Sequence, residues 1–175
     1  MIIHTKKIMI LEPAPNGFIC PDDPGEPGLG AKRWSVGLDE ARILSELFRG
    51  LCVLEIGTGL GIATNKIAEK AEWVYTVDID PWVKENVVPT LARNVIFFDD
   101  ISHVPVDMEG AFIDGLHTYE QCSQDIVDAK RIVKKGGLLV FHDANMVSIH
   151  QAVVDSGLRC FYIKSYAGMA MGWNE

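Results

Sequence analysis

The sequence lacks long hydrophobic runs and paired cysteines. No stretch of about 18 or more uninterrupted apolar residues occurs, so a membrane-spanning helix is not expected. The four cysteines stand far apart without a Cys-x-x-Cys motif, which predicts reduced, mostly buried thiols in a cytoplasmic protein. They are Cys20, Cys52, Cys122 and Cys160. The first residues carry a basic pair inside a short apolar stretch rather than ahead of a longer one, so no export signal is predicted.

Basic residues are outnumbered along the chain. Lys and Arg total 16 against 24 Asp and Glu, which gives a formal net charge of -8. A charge of this sign repels phosphate backbones and argues against a nucleic-acid substrate. With 175 residues, of which 48% are hydrophobic, the chain is predicted to fold as one domain with a substantial core.

Proline, glycine and aspartate crowd one early segment, residues 12–34. These residue types favour turns and cannot sustain a helix. We therefore divide the predicted single domain, 1–175, into an N-terminal arm, 1–37, and a core, 38–175. Apolar residues within the arm, such as Phe18 and Trp34, favour a lid that docks over a pocket, and a disordered arm is the alternative.

The core alternates short apolar runs with segments of helical periodicity. The predicted strands are "LCVLEI", "WVYTVDI", "NVIFF", "GAFID" and "LLVFH", with "LRCFYIKSY" and "GMAMGWN" as a closing hairpin. The predicted helices are "GLDEARILSELFRG", "GIATNKIAEKA", "PWVKENVVPTLAR", "YEQCSQDIVDAKRIVKKGG" and "MVSIHQAVVDSG". This pattern predicts an α/β fold with a doubly wound, Rossmann-like sheet, mostly parallel and ending in an antiparallel hairpin.

Three glycines follow the first predicted strand at alternate positions in "VLEIGTGLGIAT", namely Gly57, Gly59 and Gly61. A glycine-rich turn at this place lets a ligand approach the backbone and the start of the next helix. The dinucleotide fingerprint would need glycine at position 62, where Ile62 stands, and a P-loop would need a lysine that is absent. What remains is Glu-x-Gly-x-Gly-x-Gly from Glu55 to Gly61.

This motif resembles the first motif of class I S-adenosylmethionine-dependent methyltransferases, and the resemblance implies the strand order 3-2-1-4-5-7-6. Asp78, which ends the second predicted strand some twenty residues on, is placed to accept hydrogen bonds from two ribose hydroxyls. The family places an acid after the third strand against the adenine amino group, here Asp100, or Asp99 after a one-residue slip. The predicted cofactor-binding set is Glu55, Gly57, Thr58, Gly59, Gly61, Asp78, Ile79, Asp99, Asp100 and Asp114.

The fourth and fifth predicted strands end in acids and histidines. "IDGLHTYE" followed by "KKGGLLVFHD" resembles the small-molecule O-methyltransferases of the sugar and catechol type, over residues 41–145. In that branch acids at these strand ends hold a divalent cation, usually magnesium, which implies a metal site of Asp114, His142 and Asp143. Leu116 and Ala144 replace polar residues of the relatives, and histidine suits zinc, iron or manganese better than magnesium.

The predicted catalytic residues are His117, Asp114 and His142. The ordinary pKa of histidine, near 6.5, suits His117 as the base that removes the acceptor proton, although a structural role as a tether for the loop is the alternative. For His142 two roles remain open, a functional role in the site and structural support of its neighbours.

The sequence thus predicts an enzyme that transfers a methyl group from S-adenosylmethionine to a hydroxyl of a small-molecule acceptor, and it leaves open whether a divalent cation is a further cofactor. Two alternatives remain: a catalytically silent protein that binds S-adenosylmethionine or S-adenosylhomocysteine as a regulator or subunit, and an N-methyltransferase acting on protein or nucleic acid. An amino-methylating nucleic-acid enzyme would usually show Asn/Asp-Pro-Pro-aromatic after strand four, which "DGLHTY" lacks. No membrane partner is expected, and a homo-oligomer is compatible with the sequence.

Overall fold

The structure is a computed structural model that describes residues 36–175. The predicted lid therefore falls, but for its last two residues, outside the described part of the chain. Among residues 36–175 no helix combines the length and apolar character needed to cross a membrane.

Helices and strands alternate along the described chain. The helices are α1 (Leu38–Leu47), α2 (Ile62–Ala68), α3 (Pro81–Asn86), α4 (Tyr119–Ile132) and α5 (Val147–Asp155). The strands are β1 (Cys52–Ile56), β2 (Trp73–Val77), β3 (Val95–Phe98), β4 (Met108–Ile113), β5 (Val133–Phe141), β6 (Phe161–Ile163) and β7 (Met169–Trp173). Short 3-10 helices cover Val88–Thr90 and Ile101–His103.

The strands form one seven-stranded sheet in the order β3-β2-β1-β4-β5-β7-β6, which confirms the predicted fold and order. Strands β1 to β5 run parallel, and β7 pairs antiparallel with both β5 and β6. The carboxyl ends of β1 to β5 consequently meet at one edge of the sheet, which we call the carboxyl edge. In folds of this kind ligands bind at that edge.

Helices cover both faces of the sheet because successive strand residues point to opposite sides. Val53 of β1 belongs to a buried cluster with Leu44 of α1 and Ile67 of α2. Its neighbour Leu54 belongs to a second cluster with Ile126 of α4 and Ile149 of α5. Apolar residues on both faces explain why the strands read as continuous hydrophobic runs rather than alternating ones.

Two predicted helix ends are wrong. The fourth helix ends at Ile132 instead of the Gly136–Gly137 pair, and β5 already begins at Val133, because residues at the start of β5 pair with the chain end. Gly136 donates its N–H to the Asn174 carbonyl at 2.7 Å, and the Asn174 side chain donates to the Val133 carbonyl at 2.6 Å. The third helix ends at Asn86 rather than Arg93, since Pro89 lacks the N–H that a longer helix would use.

Candidate active site

A cavity of about 1170 Å³ opens at the carboxyl edge. Most of the residues predicted from sequence line it: Gly57, Thr58, Gly59, Asp78, Ile79, Asp99, Asp100, Asp114, His117, His142 and Asp143. Glu55 in β1 and Gly61 in the loop that follows are not part of the cavity lining. The structure therefore brings together residues that are up to 86 positions apart in sequence, from Gly57 to Asp143.

The glycine loop after β1 has a left-handed backbone at all three glycines. A Cβ at Gly57 would overlap the backbone carbonyl of Asp114, so the end of β4 lies directly against the loop. A Cβ at Gly61 would come within 2.9 Å of the Val87 side chain. At Gly59 nothing lies within 4 Å of that position, so the backbone there is open to a ligand.

Glu55 supports the loop from beneath rather than facing the cavity. Its side chain is fully buried and accepts a hydrogen bond of 2.6 Å from the Thr76 hydroxyl. The Thr76 and Thr58 hydroxyls are in turn 2.7 Å apart. Burial raises the pKa of Glu55 to about 8. This acid of the motif is thus linked to the glycine loop through two buried threonines.

Asp78 joins the end of β2 to the glycine loop. Its Oδ2 accepts from the Gly59 N–H at 3.0 Å and its Oδ1 accepts from the Asp80 N–H at 2.9 Å. Asp80 itself accepts from the Trp82 N–H at 2.8 Å and caps α3, as its place before Pro81 suggests. A carboxylate has about four acceptor positions, so Asp78 keeps capacity for further donors.

The two acids after β3 are exposed and already engaged. Asp99 forms a 2.6 Å ion pair with Lys84, and a hydrogen bond from that lysine lowers its pKa. Asp100 accepts from the Ser102 N–H at 2.8 Å and caps the 3-10 helix that begins at Ile101, which lowers the pKa of its carboxyl group.

Two histidines and two carboxylates meet where β4 and β5 end. His142 Nδ1 lies 3.1 Å from Asp114 Oδ1 and 3.0 Å from Asp143 Oδ2. His117 Nε2 lies 3.0 Å from Asp143 Oδ2 and 3.5 Å from Asp114 Oδ1, although its ring is not aligned for a hydrogen bond. The loop carrying His117 is fixed by Ser148, whose hydroxyl donates to the His117 carbonyl at 2.8 Å.

The neighbouring carboxylates raise the pKa of both histidines. Burial would lower the pKa of His117, but the close Asp114 and Asp143 carboxylates outweigh it and raise the pKa to about 9. Burial likewise opposes the charge of His142, yet Asp114, Asp143 and Glu40 raise its pKa well above the usual value. Both shifts favour the protonated form of the two histidines while no metal ion is bound, and a metal ion that binds His117 would displace the proton from its Nε2.

Glu40 completes this cluster from α1, and sequence analysis did not identify it. The side chain is 2% exposed, and its Oε2 lies 3.3 Å from His142 Nε2. It also accepts from the Ala167 N–H at 3.1 Å and from the Gly37 N–H at 3.0 Å. Burial opposes ionisation, but these partners, His142 first among them, lower the pKa of Glu40 to about 2.

Only some of these side chains converge as metal ligands would. One ligand atom each from Asp114, His117 and Asp143 lies within 4.8 Å of the other two. This group shares Asp114 and Asp143 with the set predicted from sequence and has His117 where that set has His142. Both ring nitrogens of His142 face carboxylates instead, so each of them carries a hydrogen rather than a free lone pair.

Residues of α4 extend the cavity beyond the predicted set. Gln121, Asp125 and Asp128 line it beside Ile101 and Gly115. In the sequence they appear as ordinary polar positions of an amphipathic helix, and no motif marks them.

Comparison with known proteins identifies a family for most of the site. A family model described as "Methyltransferase domain" matches residues 54–144, about half of the chain, from β1 to the end of β5. The probable ribosomal RNA small subunit methyltransferase A of Pyrobaculum islandicum is 33% identical over 73 residues, which are 39% of this chain and 31% of that protein. The chain thus aligns with about a third of the length of this curated relative.

Solved structures share the fold at low identity. The cofactor-bound structure of Rv0187 from MTB superposes with a TM-score of 0.69 at 20% identity, covering 81% of this chain and 82% of that one. The O-methyltransferase TomG from Streptomyces achromogenes, in complex with SAM, gives 0.67 at 14% identity, with 81% and 82% covered. The tRNA (m1A58) methyltransferase TrmI from Aquifex aeolicus gives 0.65 at 16% identity, with 83% and 72% covered.

Proposed function

We propose that this chain, which belongs to the methyltransferase domain family, transfers a methyl group from S-adenosylmethionine to a hydroxyl group of a small molecule. One observation carries the proposal. A single cavity contains both the Gly59–Asp78 contact at the ends of β1 and β2 and the Asp114–His117–Asp143 group at the ends of β4 and β5.

The residues of the glycine loop fit a nucleoside with a charged tail. No atom lies within 4 Å of the Cβ position at Gly59, so a ligand can approach the backbone closely there. Asp78 is held by two backbone N–H groups, so its orientation is fixed before a ligand arrives, and its remaining lone pairs can accept from ribose hydroxyls. Glu55 and Thr58 stabilise the loop from below.

The cluster at the ends of β4 and β5 fits an acceptor hydroxyl. In the reaction the acceptor oxygen forms a bond to the methyl carbon, the bond from that carbon to sulfur breaks with its electron pair remaining on sulfur, and the hydroxyl proton passes to a carboxylate of the cluster or to solvent. We assign Asp114, His117 and Asp143 as ligands of a divalent cation at this place, which when bound would lower the pKa of the hydroxyl. A donor set with an imidazole favours manganese, iron or zinc over magnesium.

RNA is a second candidate acceptor because methyltransferases named for ribosomal RNA and tRNA are among the similar proteins. The net charge of -8 opposes it, since binding to a phosphate backbone relies on lysine and arginine. The acids that line the cavity oppose it as well. We therefore favour a small hydroxylated acceptor.

The cofactor assignment is tested by calorimetry with S-adenosylhomocysteine. Asp78→Asn keeps the shape of the side chain but weakens its acceptor strength, so we expect affinity to fall at least about tenfold. Asp39→Asn is the matched control, because Asp39 is 92% exposed on α1 and lies outside the cavity. Equal affinity for wild type and Asp78→Asn, or no binding by the wild type, would refute the assignment.

Acceptor and metal are tested in a methyl-release assay on a panel of hydroxylated small molecules and on RNA oligonucleotides, with and without EDTA. We expect turnover with a hydroxylated acceptor that EDTA abolishes and Mn²⁺ restores. Turnover that EDTA leaves unchanged would contradict the ligand assignment. Methylation of RNA alone would replace the proposed acceptor.

A further inference from the structure

The loop after β3 and helix α4 both contribute residues to the cavity lining, and the α4 residues have no function assigned above. If S-adenosylmethionine binds as proposed, with its ribose at Asp78, its purine base occupies another part of this cavity. The following inference rests on that proposed function. It concerns which side chain distinguishes adenine from other purines.

The family resemblance gives this role to the acids after β3, but both are poorly suited to discrimination. Asp99 is ion-paired with Lys84, and Asp100 caps a 3-10 helix. Both side chains are exposed, so water can replace any donor that a ligand fails to supply. A hydrogen bond that water can replace contributes little to selectivity.

Asp125 of α4 is a buried acid in the same cavity. It is 4% exposed, lies on the second turn of α4 and contributes to the cavity lining. Gln121 Nε2 donates to its Oδ1 at 2.8 Å, which fixes the carboxylate. A Cβ at Gly115, two residues after the end of β4, would lie only 2.7 Å from Asp125 Oδ2. The absence of a side chain at Gly115 therefore leaves room for this oxygen.

We propose that Asp125, oriented by Gln121, accepts a hydrogen bond from the exocyclic amino group of the base and makes the site selective for adenine over a 6-oxo purine. A carboxylate only accepts, so it pairs with an amino group and repels a carbonyl oxygen at the same position. Because Asp125 is buried, water cannot relieve that repulsion, and a base without the amino group leaves the acid unpaired. Burial also raises the pKa of Asp125, as expected for an acid away from water.

Binding of two ligands that differ only at this group tests the proposal. S-adenosylhomocysteine and its 6-oxo analogue S-inosylhomocysteine are titrated calorimetrically into wild type, Asp125→Asn, Asp100→Asn and Glu120→Gln. Wild type is expected to prefer the adenine ligand by about tenfold to a hundredfold. Asparagine can accept from an amino group or donate to a carbonyl, so Asp125→Asn should reduce this preference to about threefold or less.

The other variants separate the competing explanations. Glu120→Gln removes a charge from the first turn of the same helix outside the cavity, and the preference should persist. It should also persist in Asp100→Asn. Gln121→Met, at an exposed position, gives a second readout that does not depend on replacing a buried acid, and should lower the preference several-fold.

Three results would overturn the inference: equal affinity of the wild type for both ligands, a preference that survives in Asp125→Asn and Gln121→Met, or a preference lost in Asp100→Asn. A preference lost in Asp100→Asn would indicate that Asp100, the acid after β3, recognises adenine. In all three cases S-adenosylhomocysteine still binds, so the proposed function stands. Failure of the wild type to bind S-adenosylhomocysteine would instead remove both.

Discussion

Each glycine of the loop after β1 lacks a side chain for a different physical reason. Gly57 lies against the Asp114 carbonyl, Gly61 packs against Val87 and Leu91, and Gly59 borders open space. The motif predicted the glycines but could not distinguish these reasons, because the partners of Gly57 and Gly61 come from later parts of the chain.

These reasons predict different outcomes for single alanine substitutions. Gly57→Ala forces a methyl group into the β4 backbone and should cost about 3 kcal/mol or more of unfolding free energy. Gly59→Ala meets no atom, so only its backbone strain of about 1 kcal/mol remains, yet affinity for S-adenosylhomocysteine should fall roughly tenfold. Urea unfolding and calorimetry measure the two effects.

Gly157→Ala provides the control for strain alone. Gly157 has φ +72°, nothing lies within 4 Å of its Cβ position, and it follows α5 outside the cavity. It should lose as much stability as Gly59→Ala and no affinity. If Gly59→Ala also keeps full affinity, the loop is not in contact with the cofactor.

At the scale of elements, Glu40 connects three parts of the chain. From α1 its side chain reaches His142 after β5, 102 positions away, and Ala167 before β7, 127 positions away. The sequence predicted α1 from its periodicity, but an acid in a first helical turn is also a common local feature. No local pattern could reveal contacts at such separations.

Glu40→Ala should therefore destabilise the protein by about 3–5 kcal/mol, because it leaves two buried donors, the His142 Nε2–H and the Ala167 N–H, without an acceptor. Urea unfolding measures the change. Asp39→Ala, the neighbouring exposed acid on the same helix, should stay within about 0.5 kcal/mol of wild type. Similar losses for the two variants would show that the Glu40 contacts do not contribute to stability.

Helix boundaries were predicted less well than the elements themselves for a related reason. Lys134 to Gly137 resemble a helix end in composition, yet pairing with Asn174 draws them into β5. Apolar periodicity predicts which segments are buried. Residues between two buried segments join a helix or a strand according to the distant backbone that they can hydrogen-bond, and only the fold determines which backbone that is.

For the whole molecule, stability depends on pH because folding shifts the pKa values of several groups. Burial raises the pKa of Glu55 to about 8, and the neighbouring carboxylates outweigh burial to raise that of His117 to about 9. Both folded-state values exceed those of the unfolded chain, so the folded state binds more protons. The resulting stabilisation is complete below the unfolded pKa and is lost as pH rises through the folded one.

The free energy of unfolding, measured in urea with EDTA present, should therefore fall by about 4–5 kcal/mol between pH 6.5 and pH 9. Glu55→Gln and His117→Gln should each flatten this dependence, since each removes one of the titrating groups. Asp155→Asn on α5, outside the cavity, should leave the dependence unchanged. A profile that is level or rises over this interval would contradict the assignment of these protonation states.

Strand order and fold class were predictable because the alternating pattern and the glycine motif agree with each other. The contribution of α4 to the cavity was not, since no sequence motif marks Asp125 and Gln121 as lining residues. On an amphipathic helix, a polar residue that faces a cavity has the same sequence signal as one that faces solvent.

The interior position of β7 has a consequence for synthesis. β5 is complete well before β7 leaves the ribosome, yet β7 is the strand that covers the free side of β5. At common translation speeds the nascent chain spends a few seconds with that row of unpaired amides and carbonyls exposed. Neighbouring ribosomes on one message would hold such edges close together, so slow codons between β5 and β7 would favour aggregation before release.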